Sequence, residues 1–138
     1  KLTADLLQIR AILEPDIAAL AAENATDSEI GELCEVLLRL EERMMRRENY
    51  AELDTEFHTK IADCTHNMVM SNLIPVIAGG VRVFAHNVGS VEFEQTLKSH
   101  RAIFEAIKGR RPVEASRAML YHILYNNNRY LEDLEKRG

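Results

Sequence analysis

Tyr50–Cys64 reads YAELDTEFHTKIADC, and its spacing predicts one amphipathic helix. Leu53, Phe57, Ile61 and Cys64 recur every three or four residues, the period of a stripe along a helix. Beside that stripe Asp54 and His58 stand four residues apart, so their side chains leave the same side of the helix one turn apart. A carboxylate and an imidazole held that way can direct lone pairs at one ion and make half of a metal site. Such a pair is more often a solvated surface pair than a pair of ligands. The weight therefore falls on what the rest of the chain adds.

The 138 residues fit a single domain that buries roughly two-thirds of its unfolded surface. The sequence is 46% hydrophobic and 28% charged, dominated by Leu, Ala, Glu, Arg and Ile, and lacks β-branched runs bounded by turn signals. Both features favour helices. The formal net charge of −5 argues against a phosphate-binding face on this segment. Cys34 and Cys64 lie inside helical patterns without a CxxC spacing, which reads as two reduced core thiols of a cytoplasmic protein. No signal peptide is present and no apolar run is long enough to span a bilayer, so no membrane contact is expected. The chain begins at Lys1 rather than at methionine, as expected of a piece of something longer.

Outward from the central stretch, five more helices follow from the pattern. Helix one covers roughly Leu2 to Asn24, with Leu6, Ile9, Leu13, Ile17 and Leu20 as its inward stripe and a kink or break expected near Glu14 because of Pro15. Thr26, Asp27 and Ser28 supply N-cap chemistry for helix two, with Glu29 at its positive end. Helix two runs to about Arg46 and turns Ile30, Leu33, Leu37, Leu40 and Met44 inward. Its glutamates and arginines from Glu41 to Arg47 read as a solvated face. Asn67 caps helix four, expected from Met68 to about Asn87 and apolar on most sides. A helix of that kind is either central or shared with a second subunit. Gly79 and Gly80 in its middle suggest a close backbone approach, room for a ligand, or a simple kink. Helix five follows a turn at Val88–Ser90 and ends at Gly109, a natural C′ residue. Pro112 opens helix six, which runs to roughly Lys136. The sum is an all-α antiparallel bundle of about six helices with short connections.

Two more histidines fall on inward positions of this bundle. Helix five's stripe is Phe93, Leu97, His100, Phe104 and Ile107, and helix six's is Ala115, Met119, His122, Asn126 and Tyr130. One inward histidine is ordinarily a hydrogen-bonded core residue. Two on adjacent helices, with Asp54 and His58 available from a third, are costly to bury unless they pair or hold an ion. One divalent cation bound by Asp54, His58, His100 and His122 satisfies all four. Zinc is placed foremost, with nickel, manganese and iron also suited, and spacing does not choose among them. His66 and His86 lie near helix ends and are left out of the site.

These same segments carry a resemblance. IRAILEPDIAALAAENAT, DTEFHTKIADCTHN, SHRAIFEAI and AMLYHI resemble, in that order, four motifs of the C-terminal effector-binding (FCD) domain of FadR-type GntR-superfamily transcription regulators. Ser99 stands where the family usually has an acidic residue, and Arg111–Pro112 where it commonly has an acidic helix cap. The family's metal ligands fall on Asp54, His58, His100 and His122. The resemblance further implies a small organic acid or sugar acid as effector beside the metal, and a homodimer joined through helix four and part of helix one. It also implies DNA binding through an N-terminal winged helix-turn-helix that this chain does not contain. A buried organic anion calls for a cation with a fork of donors. Arg10, which matches the family's first-helix arginine, and Arg82 are the candidates. Asn126, one turn after His122, is placed to donate to the effector or to orient a metal ligand.

Two other readings of the same residues stay open at this point. A metal-dependent enzyme would use the three-histidine, one-carboxylate site to activate water or bind oxygen, although no further glutamate is placed as a general base and no nucleophile motif is present. A metal-free interaction module would use the histidines as core residues only.

Overall fold

The local sequence explains most of the helix ends. The computed structural model describes residues 2–81 and 90–137, and within them the helices are α1 (Leu2–Asn24), α2 (Asp27–Met45), α3 (Ala51–Asp63), α4 (Met68–Val81), α5 (Ser90–Lys108) and α6 (Pro112–Arg137). Among the described residues no strand is present. The expected continuation of α4 through Val83 and Phe84 to Asn87, together with Arg82, His86 and most of the following turn, lies outside the described residues.

Thr26 caps α2 in a capping box. The Glu29 amide donates to Thr26 Oγ1 at 3.1 Å and the Thr26 amide donates to Glu29 Oε1 at 2.8 Å, so two otherwise orphaned donors are satisfied together. Asn67 Oδ1 accepts from the amides of Val69 and Met70 at 3.0 and 3.1 Å, as its place before α4 requires. At the end of α5 the expectation needs correcting. The left-handed residue is Arg110, with φ of 57°, and not Gly109. The Arg111 amide reaches back to the Ala106 carbonyl at 2.9 Å and that of Arg110 to Ile107 at 3.0 Å, which is the Schellman pattern. The guanidinium of Arg110 donates to the Ala25 carbonyl and to Asp27, contacts a glycine would forgo and which offset the left-handed cost.

Pro15 does not break α1. The helix is continuous from Leu2 to Asn24, because the residues on both sides of the lost backbone bond are anchored in the interior. Its inward face is also rotated from the expected one. Leu7, Arg10, Glu14, Ile17, Ala18, Ala21 and Ala22 are buried, whereas Ile9 and Ile12 are 40% and 60% exposed. Much of the face that packs is charged in one half and alanine in the other, so a stripe drawn through the largest apolar residues finds Ile17 but not the rest.

The dry interior is built from Leu33, Val36, Leu37, Leu40 and Met44 of α2, Phe57 and Ile61 of α3, Ile103, Phe104 and Ile107 of α5, and Met119 and Ile123 of α6. α1 packs against α6, α4, α5 and α3; α5 also packs on α6 and α2, and α3 on α4 and α2. α4 is not central. Ile74, Ile77 and Ala78 face inward while Met68, Val69 and Val76 are at least 70% exposed. A Cβ on Gly80 would come 2.6 Å from Leu6 Cδ1, while one on Gly79 would meet open space, so of the two glycines only Gly80 marks a close approach, here to α1. Cys34 and Cys64 are both free. Burial, with Glu29 and Asp63 nearby, pushes the Cys64 thiol up to about 12, which leaves it an inert core group. No helix among the described residues is long and apolar enough to cross a membrane.

Candidate metal centre

Three helices that start from different parts of the chain bring their polar residues to one point. Asp54 and His58 come from α3, His100 from α5 and His122 from α6, and one ligand atom of each lies within 4.8 Å of the other three. The His100 and His122 ring centroids are 4.5 Å apart, and those of His58 and His122 are 5.4 Å apart and stacked. The three imidazoles are at most 1% exposed. The Asp54 side chain keeps 20% of its surface open, so the cluster meets solvent on the carboxylate side. α3 reaches α5 and α6 chiefly through these side chains, with Phe57 edge-on to His100 at 5.2 Å.

The hydrogen bonds outside the cluster decide which nitrogen each ring turns inward. Ser99 Oγ donates to the Thr96 carbonyl at 3.0 Å, which uses its only proton, so at 2.8 Å it accepts from Nδ1–H of His122. The lone pair of His122 is then on Nε2, where Asn126 Nδ2 lies at 3.4 Å. The Nδ1 atom of His58 is in short contact with Glu14 Oε1. Burial works to raise the Glu14 carboxyl, but the Arg10 guanidinium and His58 hold it down at about 2, so it accepts only, and His58 also presents Nε2. His100 places Nε2 2.8 Å from Asp54 Oδ1, and its Nδ1 is buried without a partner among the described residues.

Electrostatics keep this set rich in lone pairs. Burial opposes ionisation of Asp54, yet the His100 hydrogen bond and the three imidazoles hold its carboxyl well below the usual carboxylate range. Burial, followed by His100 and His58, pushes His122 well below the ordinary imidazole value, so it is neutral at pH 7. An ionised carboxylate beside neutral imidazole is the donor chemistry of a divalent cation site. The spacing suits that use, since two atoms bound about 2.1 Å from one ion at a right angle are about 3 Å apart. Asp54 Oδ1 lies 2.8 Å from His100 Nε2 and 3.7 Å from His58 Nε2. The other ring nitrogen of His100, Nδ1, has no hydrogen-bond partner among the described residues, so nothing there fixes which nitrogen carries the proton.

The remaining candidates divide. Arg10 is 4% exposed and lies beside the cluster, its Nη2 3.3 Å from His58 Nε2 and its Nε donating to Glu14 Oε2 at 2.5 Å. Asn126 is half-buried against His122. Arg82 lies outside the described residues. His66 is peripheral, paired with Glu29 at 2.7 Å. Two participants escape a reading by hydrophobic stripes, Glu14 and Ser99. The i, i+4 spacing of Arg10 and Glu14 was the available signal for the first. For Ser99 there was none beyond its place next to His100.

Comparison with known proteins covers this whole arrangement. The FCD domain family model matches residues 5–125. The chain is similar to the galactonate operon transcriptional repressor of Escherichia coli strain K12, at 28% identity over 135 residues, which is 96% of this chain and 59% of that protein. It is 30% identical over 124 residues to the HTH-type transcriptional repressor NanR of Klebsiella aerogenes, covering 84% of this chain and 46% of the relative. Among solved structures, Streptococcus agalactiae GntR superposes with a TM-score of 0.82 at 33% identity, over 92% of this chain and 58% of that one. The chain thus spans 59% or less of the length of these three proteins. The curated relatives are transcriptional regulators by name, not enzymes.

Proposed function

The chain belongs to the FCD domain family, the effector-binding domain of GntR-type transcription regulators, and on that basis we propose that it senses a small organic acid at a buried divalent metal. The observation that carries the reading is the convergence of Asp54, His58, His100 and His122 from three helices within 4.8 Å. These four residues hold the ion, zinc foremost among zinc, nickel, manganese and iron. Bound there, the metal supplies open coordination positions and positive charge for a carboxylate. Arg10 lies beside it with donors suited to the same anion, and Asn126 borders His122. Arg82 is retained as a second candidate from the sequence.

The effector works by favouring one arrangement of the regulator over another, since indifferent binding shifts nothing. α3, α5 and α6 each contribute a group to the site, so a ligand there draws them together. That movement controls DNA binding by an N-terminal winged helix-turn-helix, a role supported by the relatives' names and by the chain's share of their length. A homodimer is supported by two neighbouring helices that both leave apolar side chains bare, Ile9 and Ile12 on α1 and Met68, Val69, Leu73 and Val76 on α4. A DNA-regulating role places the protein in the cytoplasm.

Metal analysis after purification without chelators, followed by a thermal-shift screen of organic acids on metal-replete protein, tests the reading. The expected result is one divalent ion per chain and stabilisation by a subset of carboxylates that disappears with chelator. Protein that takes up no divalent ion, or carboxylate stabilisation indifferent to metal, would overturn it.

A further inference from the structure

Glu14 lies on α1, outside the four-residue cluster, yet both of its oxygens are engaged at the cluster's edge. Oε2 accepts from Arg10 Nε at 2.5 Å, and Oε1 is in short contact with His58 Nδ1. Arg10, Glu14 and His58 are 4%, 1% and 1% exposed, so water does not compete for these bonds. Arg10 Nη2 stands at similar distances from the two ring nitrogens, 3.3 Å from Nε2 and 3.5 Å from Nδ1. Arginine only donates, so Arg10 can serve only the ring nitrogen that carries the lone pair, and Nε2 is the nearer of the two.

Arginine offers only donors and an ionised carboxylate only acceptors. With Glu14 fixed between them, a neutral His58 ring has one consistent arrangement, the proton on Nδ1 and the lone pair on Nε2. We propose that Glu14 is a positioning residue that sets this tautomer, making His58 competent as a metal ligand, and that it ties Arg10 to the same carboxylate. The metal ligand and the anion-binding arginine are then oriented by one side chain. The inference rests on the metal-binding reading for its purpose, while the tautomer itself can be read in protein without metal.

Glu14→Gln is the informative variant because it changes the wiring and keeps the shape. An amide has one accepting and one donating end. Arg10 must take the oxygen, so the NH₂ turns toward His58 Nδ1, which becomes the acceptor. The ring proton moves to Nε2, and the lone pair leaves the cluster. Imidazole nitrogen correlation NMR on zinc-free protein is expected to show His58 protonated on Nδ1 in the wild type and on Nε2 in Glu14→Gln. Zinc affinity, measured by competition with a chelating dye, is expected to fall by about 10–100-fold. Arg10→Met/Glu14→Gln frees the amide oxygen for Nδ1 and is expected to recover the affinity of Arg10→Met, a rescue that a merely structural glutamate would not show. An unchanged tautomer in Glu14→Gln, or no rescue, overturns the proposal.

Should Glu14→Gln not fold, the pair Arg10→Met/Glu14→Gln and Arg10→Met/Glu14→Met serves instead. The first keeps an acceptor for Nδ1 and the second removes it, so zinc should bind at least about tenfold more weakly to the second, and equal affinities overturn the proposal. Wild-type protein that shows the Nδ1–H tautomer but binds no zinc overturns the metal reading, and with it the role of His58 as ligand, while the hold of Glu14 on the ring stands.

Discussion

The interior of this bundle has two regions that share α3 and follow opposite rules. Toward α2, Leu33, Leu37, Leu40, Phe57, Ile61 and Phe104 fill space with apolar volume. Toward α1 and α6, His58, His100, His122, Glu14 and Arg10 are as deeply buried, and each is tolerable only because of its neighbour. In the dry region a substitution costs what it removes in size. In the polar region it costs what it leaves behind, since a buried charge without its partner is penalised more than the pair was worth.

The comparison can be tested from its largest expected consequence downward. Arg10→Ala strands Glu14 and should lower stability by about 3–5 kcal/mol in chemical denaturation. Arg10→Met/Glu14→Met should cost about 1–3 kcal/mol, less than the single variant, because only His58 Nδ1 is left without its acceptor. A double variant as damaged as the single one would show that pairing is not what governs this region. Leu37→Ala in the dry region should cost about 2–5 kcal/mol without altering the number of zinc ions bound per folded molecule. Loss of zinc in that variant would mean that the two regions are not separable.

Saturating zinc should stabilise the wild type by about 2.7 kcal/mol at one hundred times the dissociation constant. That gain should vanish in His122→Ala, read as the difference in thermal midpoint with and without metal. The smallest effect lies at the α2 cap, where Thr26→Ala should cost about 1 kcal/mol. Burial works to raise the Glu29 carboxyl there, but the Thr26 amide and His66 hold it below the usual carboxylate range. Its contribution is therefore complete above the unfolded glutamate value and is lost as pH falls through the lowered folded one. Glu29→Gln should make thermal stability less sensitive to acid across that window, and an unchanged pH profile would remove the cap from the account.

Sequence periodicity served the two regions unequally. Helices two, three and five, and helix six as far as Asn126, were legible with their inward residues, because Leu33, Leu37, Phe57, Phe104 and Met119 recur at helical spacing and are in fact buried; the side chain of Tyr130 lies outside the described ones. The four residues that the structure gathers were also legible, since histidine at a core position of α5 and again of α6 departs from the apolar pattern. α1 was legible only in part, for the converse reason. Its inward face holds Arg10, Glu14, Ala18, Ala21 and Ala22, none of which a hydrophobic stripe detects, beside Ile17, which the stripe did place, while Ile9 is 40% exposed. Beyond its i, i+4 spacing from Arg10, Glu14 is identified by what it touches across the fold, 44 residues away at His58. The left-handed end of α5 was placed one residue early because glycine is the expected occupant, and Arg110 takes that place through its contacts to the α1–α2 turn.

The alanine half of α1 has a mechanical consequence. Ala18, Ala21 and Ala22 are fully buried and carry only methyl groups, so that face has few side-chain rotations with which to absorb a displacement. The helix, about 34 Å long for its 23 residues, is seated there as on a fulcrum. A shift imposed at Arg10 and Glu14 would therefore meet little side-chain relaxation at the alanine end.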